Sequence, residues 1–172
     1  METNNTPITI NNAGLVLLNN YINMLFERLK LVNGNKFDSL ASQEKGVMCL
    51  YYLSTGQDRA EDIYLPLNKL LCGLPLTHQM SQGIKISDDD KTLMNGLIEA
   101  AISHWQAIGT TSINGFRGNW IIRDGLINND VNSLNLIVEK RSYDILLNTA
   151  PFSFGLIKLP WMKELLKVDW GF

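Results

Sequence analysis

The stretch SDDDKTLMNGLIEAAISHWQAIG, residues 87–109, contains the clearest helix signal in the chain. Ser87 followed by Asp90 three positions later resembles a capping box, and three consecutive aspartates lie in the first turn, where the helix dipole favours negative charge. The dipole explains these aspartates more simply than a metal site does. A long helix ending at Gly109 is predicted by the apolar residues that recur at helical spacing: Leu93, Met94, Leu97, Ile98, Ala101, Trp105 and Ile108.

Four further helices are predicted on the two sides of this stretch. Each combines apolar residues at spacings of three and four with a capping residue before them or a helix-ending glycine after them. They are an apolar stripe from Gly14 to Leu29 ended by Asn33-Gly34, a helix capped by Asp38 or Ser39 and stopped before Gly56, a short helix from Pro66 to Gly73, and a helix capped by Thr111-Ser112 and closed by Gly125.

Strands are predicted near the two ends of the chain. The apolar period changes to two after Asp130, where Leu134, Leu136 and Val138 alternate with the residues between them. Residues 154–159 form a second candidate, after a helical turn at 143–147, and residues 7–10 form a third. The sequence therefore predicts one domain, residues 1–172, of the α+β class. It is mainly α-helical, with about five helices and a small antiparallel sheet built from the C-terminal strands, to which the N-terminal strand is a candidate addition.

Composition favours an ordinary globular protein. Hydrophobic residues make up 45% and charged residues 19% of the 172 residues, and the net charge is −2. This balance provides no general attraction to nucleic acid or to anionic lipid. No apolar stretch approaches the ~20 residues that span a bilayer, and the polar start of the chain does not resemble a signal peptide. We expect a cytoplasmic protein that binds neither nucleic acid nor membrane.

Residues that could support catalysis are few and scattered. A serine or cysteine nucleophile needs a base nearby, and the two histidines, His78 and His104, neighbour no nucleophile motif. Cys49 and Cys72 lie on apolar faces of predicted helices, where buried thiols are typical. Phosphate-binding loops and the paired spacings of zinc ligands are missing from the sequence. We therefore predict that the chain is not an enzyme and uses no cofactor and no metal.

Large apolar residues are concentrated near the C-terminus. Trp161, Met162, Trp170 and Phe172 lie within the last dozen residues, although chain ends are usually polar and frayed. These side chains dock either on the core of the domain or on a partner protein, because large exposed apolar patches are rare on monomers. Together with Arg117, they are the residues that we predict to take part in interactions.

Several segments, read in order, resemble the contractile injection system tape-measure family. Residues 67–76, LNKLLCGLPL, and residues 157–162, IKLPWM, are the most specific of them. The resemblance extends from about Ile8 to Trp170, and its other segments are residues 12–18, 25–29, 52–56 and 143–147, the pair His104-Trp105, the polar and glycine positions Thr111, Ser112, Gly115, Arg117, Arg123 and Gly125, and the final Val168 and Trp170.

The resemblance implies a protein of bacterial phage-tail-like particles, whose long members are thought to set the length of the tube. Its implied partners are tube, baseplate or spike proteins, with a second copy of the chain as a further candidate. Nearly all of this sequence is committed to a globular domain, whereas a ruler needs extended length. We therefore expect a short form of the shared domain that works as an adaptor, an anchor or an assembly factor, in the cytoplasm during assembly and then within the particle.

Two alternatives stay open at this stage. Two helices followed by the late strands could form a winged-helix-like unit that binds nucleic acid, with Arg117 and Arg123 on the recognition helix. A small enzyme with an unrecognised site would need a polar cleft around His104, Asp144 and Arg117. The positions of these side chains in the fold distinguish the two alternatives from the structural role.

Overall fold

The computed structural model describes residues 6–171. Helices fill most of the first two thirds of the chain, and the strands that form the main sheet come from both ends. The α-helices are α1 (Asn19–Arg28), α2 (Leu40–Thr55), α3 (Pro66–Leu71), α4 (Asp88–His104) and α5 (Ile113–Phe116). The strands are β1 (Ile8–Ile10), β2 (Val32–Asn33), β3 (Lys36–Phe37), β4 (Gly125–Asp130), β5 (Ser133–Val138), β6 (Leu156–Ile157) and β7 (Leu166–Asp169).

Capping residues begin the two long helices at the predicted positions. The Ser39 hydroxyl accepts a hydrogen bond from the Ser42 amide at 3.0 Å, and α2 begins at Leu40, directly after Ser39. The Ser87 hydroxyl accepts one from the Asp90 amide at 3.1 Å at the start of α4. Gly56 ends α2 with a φ of 75°, a left-handed conformation that glycine adopts without strain. Capping residues therefore set both ends of α2 and the start of α4, which ends at His104, before the predicted Gly109.

The main sheet has five strands in the order β1-β4-β5-β7-β6. Its inner face packs on the helices through buried side chains that include Ile127, Leu136 and Leu166. The opposite face is open to solvent. There Leu126 and Ile137 lie opposite each other across β4 and β5, and both are about two-fifths exposed, at 37% and 41%. The helices therefore cover one face of the sheet only.

The fold class is confirmed as α+β, and one pairing differs from the prediction. β5 and β7 run parallel, so the sheet is mixed and not wholly antiparallel. A parallel neighbour needs a long crossover, which residues 139–165 provide. The sequence predicted no strand where β7 lies and a helix end where β4 begins. β7 has only four residues, and Asn128-Asn129-Asp130 at the end of β4 resembles a loop by composition.

The first predicted helix is divided into two parts. Residues Ala13–Leu18 form a 3-10 helix with every residue buried, and α1 follows from Asn19. A π-helical turn, Arg117–Ile121, extends α5. The 3-10 helix and the π turn lie against each other, because the Cβ that an alanine would place at Gly14 falls 1.7 Å from the carbonyl oxygen of Trp120. Two irregular helical turns therefore cross in the centre of the domain.

Candidate interaction site

Trp161 connects the last third of the chain to the helices. Its indole N–H donates a hydrogen bond of 2.7 Å to the carbonyl oxygen of Leu71 at the end of α3. Its ring packs on Phe26 and Phe37, with centroid distances of 5.6 Å and 5.0 Å. The side chain is only partly buried, so one part of it reaches the surface.

Gly73 allows this contact to form. It follows α3 with a φ of +73°, and an alanine Cβ at this position would lie 2.6 Å from the carbonyl oxygen of Trp161. Only a residue without a side chain permits both the conformation and the approach. The structure therefore joins residues 67–76 to residues 157–162, the two segments on which the family resemblance is most specific.

A cleft of about 330 Å³ opens where these segments meet the end of the sheet. We call it the Met162 cleft. Its polar rim includes Thr77, Lys163 and Glu164. Met162 itself is 6% exposed, and its sulfur accepts a hydrogen bond from the Leu159 amide at 3.3 Å. The cleft combines apolar walls with a charged rim, as protein-binding sites do, and the apolar wall residues are Leu70, Leu74, Leu76, Leu134 and Met162.

Trp170 lies elsewhere, in a buried polar cluster. Its indole N–H donates to the Asp144 carboxylate at 3.0 Å, and the Arg123 guanidinium lies 5.1 Å from its ring centroid. Arg123 and Asp144 form two hydrogen bonds of 2.8 Å, and Arg123 is fully buried. Burial alone would raise the pKa of Asp144, but the hydrogen bonds from Arg123, the Arg141 amide and Trp170 outweigh it and hold that pKa below its usual value.

Arg117 is also buried, at 7% exposed, and binds main-chain oxygens. Its guanidinium donates to the carbonyl oxygens of Leu53 at 3.1 Å and Tyr52 at 3.2 Å, in the last turn of α2. A cation is favourable there because the C-terminal end of a helix carries partial negative charge. Arg117 therefore caps the C-terminal end of α2. It also lines an open pocket of about 580 Å³ beside Tyr52 and Asn95.

The predicted interaction residues are thus separated in the fold. Trp161 and Met162 lie together at the Met162 cleft, Trp170 lies in the Arg123 cluster, and Arg117 lies at the end of α2. Phe172 is outside the described residues. The leucines of the Met162 cleft were missed as site residues, although Leu70, Leu74 and Leu76 lie within the family-specific segment 67–76. Their role in binding a partner stays a prediction.

The side chains of the hypothetical enzyme are not brought together. His104 stacks on Tyr21 and makes a 2.8 Å hydrogen bond with its hydroxyl, whereas Asp144 is engaged by Arg123. Burial raises the pKa of the Cys49 thiol to about 12 and that of Cys72 well above its ordinary value, so both thiols stay protonated near neutral pH.

The recognition arginines of the winged-helix alternative, Arg117 and Arg123, are both buried.

Glu44 and His78 form a polar contact beside α2. Glu44 is 4% exposed and accepts hydrogen bonds of 3.0 Å from both His78 Nε2 and the Ser81 amide. Burial alone would raise the pKa of Glu44, but these hydrogen bonds outweigh it and lower the pKa below its ordinary value. The ionised carboxylate therefore holds residues 78–81 against α2.

We expect this contact to make the domain sensitive to acid. Because the pKa of Glu44 is lower in the folded chain than in the unfolded chain, its stabilisation is complete above about pH 5 and is lost as the pH falls through the folded value. Glu44→Gln should flatten the dependence of the free energy of unfolding on pH between about 5 and 3, as measured by urea titration. An unchanged slope would show that the carboxylate is not stabilised in the folded chain.

Residues 6–171 contain no cluster of three or more metal-ligating side chains. In the same part of the chain, no helix is both long enough and apolar enough to cross a membrane.

Comparison with known proteins identifies the family. The family model described as contractile injection system tape measure protein matches residues 1–170. The chain therefore belongs to the contractile injection system tape measure protein family, a family of structural components of phage-tail-like particles and not a known family of enzymes. No curated protein matches the chain, and no solved structure matches it.

Proposed function

We propose that this domain is a non-enzymatic adaptor or anchor of a bacterial contractile injection particle. It binds a tube, baseplate or spike protein during assembly in the cytoplasm and stays attached to it in the particle. The Met162 cleft is the proposed docking site, with Trp161 at its border. A second copy of the chain is a further candidate partner.

The observation that carries this proposal is the position of the Met162 cleft. The two most family-specific segments build it together. The cleft has apolar walls, a partly buried tryptophan beside it and a charged rim. Tryptophan and methionine are enriched in protein interfaces, and the rims of such interfaces are polar.

The polar side chains of the domain support the non-enzymatic part of the proposal. Arg123 with Asp144, Arg117 with the end of α2, and His78 with Glu44 each hold two parts of the fold together. A compact domain also contributes little length of its own, because an α-helix advances only ~1.5 Å per residue. Adaptor and anchor roles therefore suit these residues better than catalysis or length measurement.

Deletion of the gene, followed by electron microscopy of the particles, tests the proposal. We expect particles that lack an end structure or fail to assemble, and complementation with the wild-type chain should restore them. Leu76→Glu, which places a charge in the Met162 cleft, should not restore them. Ile145→Glu is the matched control, because Ile145 is 66% exposed and lies away from the cleft.

The result that would contradict the proposal is a change of length alone. Particles of altered length with intact ends would instead indicate a ruler. Full complementation by Leu76→Glu, with the variant shown to be folded by circular dichroism, would exclude the Met162 cleft as the docking site.

A further inference from the structure

Another opening in the described part of the chain shares no lining residue with the Met162 cleft. It is a groove of about 1080 Å³ between two stretches that contain no α-helix and no strand, Asp58–Asp62 and Gln79–Ile86. Its floor contains the buried side chains of Met48, Leu65 and Ile86. The family match does not assign a role to this groove.

Polar contacts from three helices hold the two walls in place. On the first wall, Asp58 binds Lys91 of α4 at 2.7 Å, and Asp62 binds Lys69 of α3 at 2.6 Å. On the second wall, the Ser81 amide and His78 both bind Glu44 of α2. Asp58, Asp62 and Ser81 are therefore held in place in the free protein, so a ligand that enters the groove has less main chain to order.

Peptide groups of both walls are available for hydrogen bonding. Among residues 6–171, no main-chain partner pairs with Asp58–Ala60 or with Gln79–Ile86, and the Ser81 amide binds only the Glu44 side chain. Apart from Asp62, which begins a 3-10 turn, neither stretch belongs to a strand or a helix. Unpaired main chain beside an apolar floor is the arrangement that proteins use to bind an extended peptide by main-chain hydrogen bonds.

Size and charge define the ligand further. One extended residue in stacked sheets occupies about 160 Å³, so the groove has room for about six or seven residues. The two wall aspartates are neutralised by their lysines, and Arg59 and Lys85 outweigh Glu61 by a single positive charge along the same walls. A segment without strong charge therefore matches the groove better than an acidic or basic one does.

We propose that this groove binds an extended, uncharged segment of another protein of the particle, through main-chain hydrogen bonds to the walls and apolar side chains against Met48 and Leu65. This second contact rests on the proposed function in one respect: the adaptor role is the reason to look for the bound segment in another protein of the particle. It is independent of the Met162 cleft. An adaptor with two separate contacts can join two components, which a single contact cannot do.

An array of short overlapping peptides tests the proposal on the isolated full chain. The peptides cover the tube, baseplate and spike proteins encoded with this chain, and the chain itself. We expect wild-type protein to bind at least one uncharged peptide of a particle protein. Ala60→Trp, which fills the groove from its wall, should weaken that binding at least about tenfold. Ile145→Trp is the matched control and should bind as wild type does.

Amide hydrogen exchange provides a second measurement that needs no variant. With the selected peptide bound, we expect slower exchange in residues 79–86 and unchanged exchange in residues 143–150. Three results would overturn the proposal: no peptide binds, binding is insensitive to Ala60→Trp while residues 79–86 exchange at the free rate, or only peptides of this chain bind. Each of these can occur while the deletion phenotype still supports the adaptor role.

Discussion

Arg123→Met should lower the free energy of unfolding by about 3–5 kcal/mol, because removing one partner of a buried ion pair leaves the other charge uncompensated. The Arg123 guanidinium is fully buried and binds Asp144 through two hydrogen bonds of 2.8 Å. It also donates to the carbonyl oxygens of Asn119 and Glu139, so its loss leaves further acceptors unpaired. Urea denaturation followed by circular dichroism measures the effect.

A matched control and a double variant distinguish the loss of the buried ion pair from the loss of any arginine. Arg28→Met changes an exposed arginine of α1 and should alter the free energy of unfolding by no more than about 0.5 kcal/mol. Arg123→Met combined with Asp144→Asn should recover part of the loss, because the buried carboxylate is then neutral. A cost below about 1 kcal/mol for Arg123→Met would show that the cluster around Trp170 does not hold the C-terminal strand in place.

Gly14→Ala should cost about 3 kcal/mol or more, although it adds a single methyl group. The new Cβ would lie 1.7 Å from the carbonyl oxygen of Trp120 and 2.8 Å from the Cα of Ile121. Both are main-chain atoms in the core, so no flexible side chain can move aside. The 3-10 helix and the π turn would have to separate, which opens the centre of the domain.

Gly96→Ala is the control for this substitution. Gly96 lies within α4, and an added Cβ meets no atom within 4 Å. Alanine is a better helix former than glycine, so we expect a gain of about 0.5–1 kcal/mol. Thermal unfolding of the two variants, measured side by side, checks that Gly14→Ala lowers the stability and that Gly96→Ala raises it. Equal stability of Gly14→Ala and the wild type would mean that the two turns do not cross as closely as described.

Local signals in the sequence were sufficient for the starts of α2 and α4 and for the end of α2. Ser39, Ser87 and Gly56 act through neighbouring amides and through their own backbone conformation, so their effects are visible in a short window. The α+β class followed from the same signals together with the alternation in β5. These parts of the fold depend little on residues that are distant in the chain.

Long-range contacts account for what the sequence did not reveal. Whether β7 pairs with β5 or with β6 alone depends on the path of residues 139–165, which no local pattern specifies. The buried position of Arg117 depends on the end of α2, more than sixty residues earlier. The Met162 cleft likewise exists only because Trp161 contacts Leu71 and Gly73, which lie about ninety positions earlier in the sequence.

The central claim is that this domain is a physical component of a contractile injection particle. Mass spectrometry of particles purified from the organism that encodes the chain tests it most directly. We expect the chain to co-sediment with tube and baseplate proteins through a density gradient and to remain after a high-salt wash. Its absence from intact particles, with the chain recovered only in the soluble fraction, would contradict the claim.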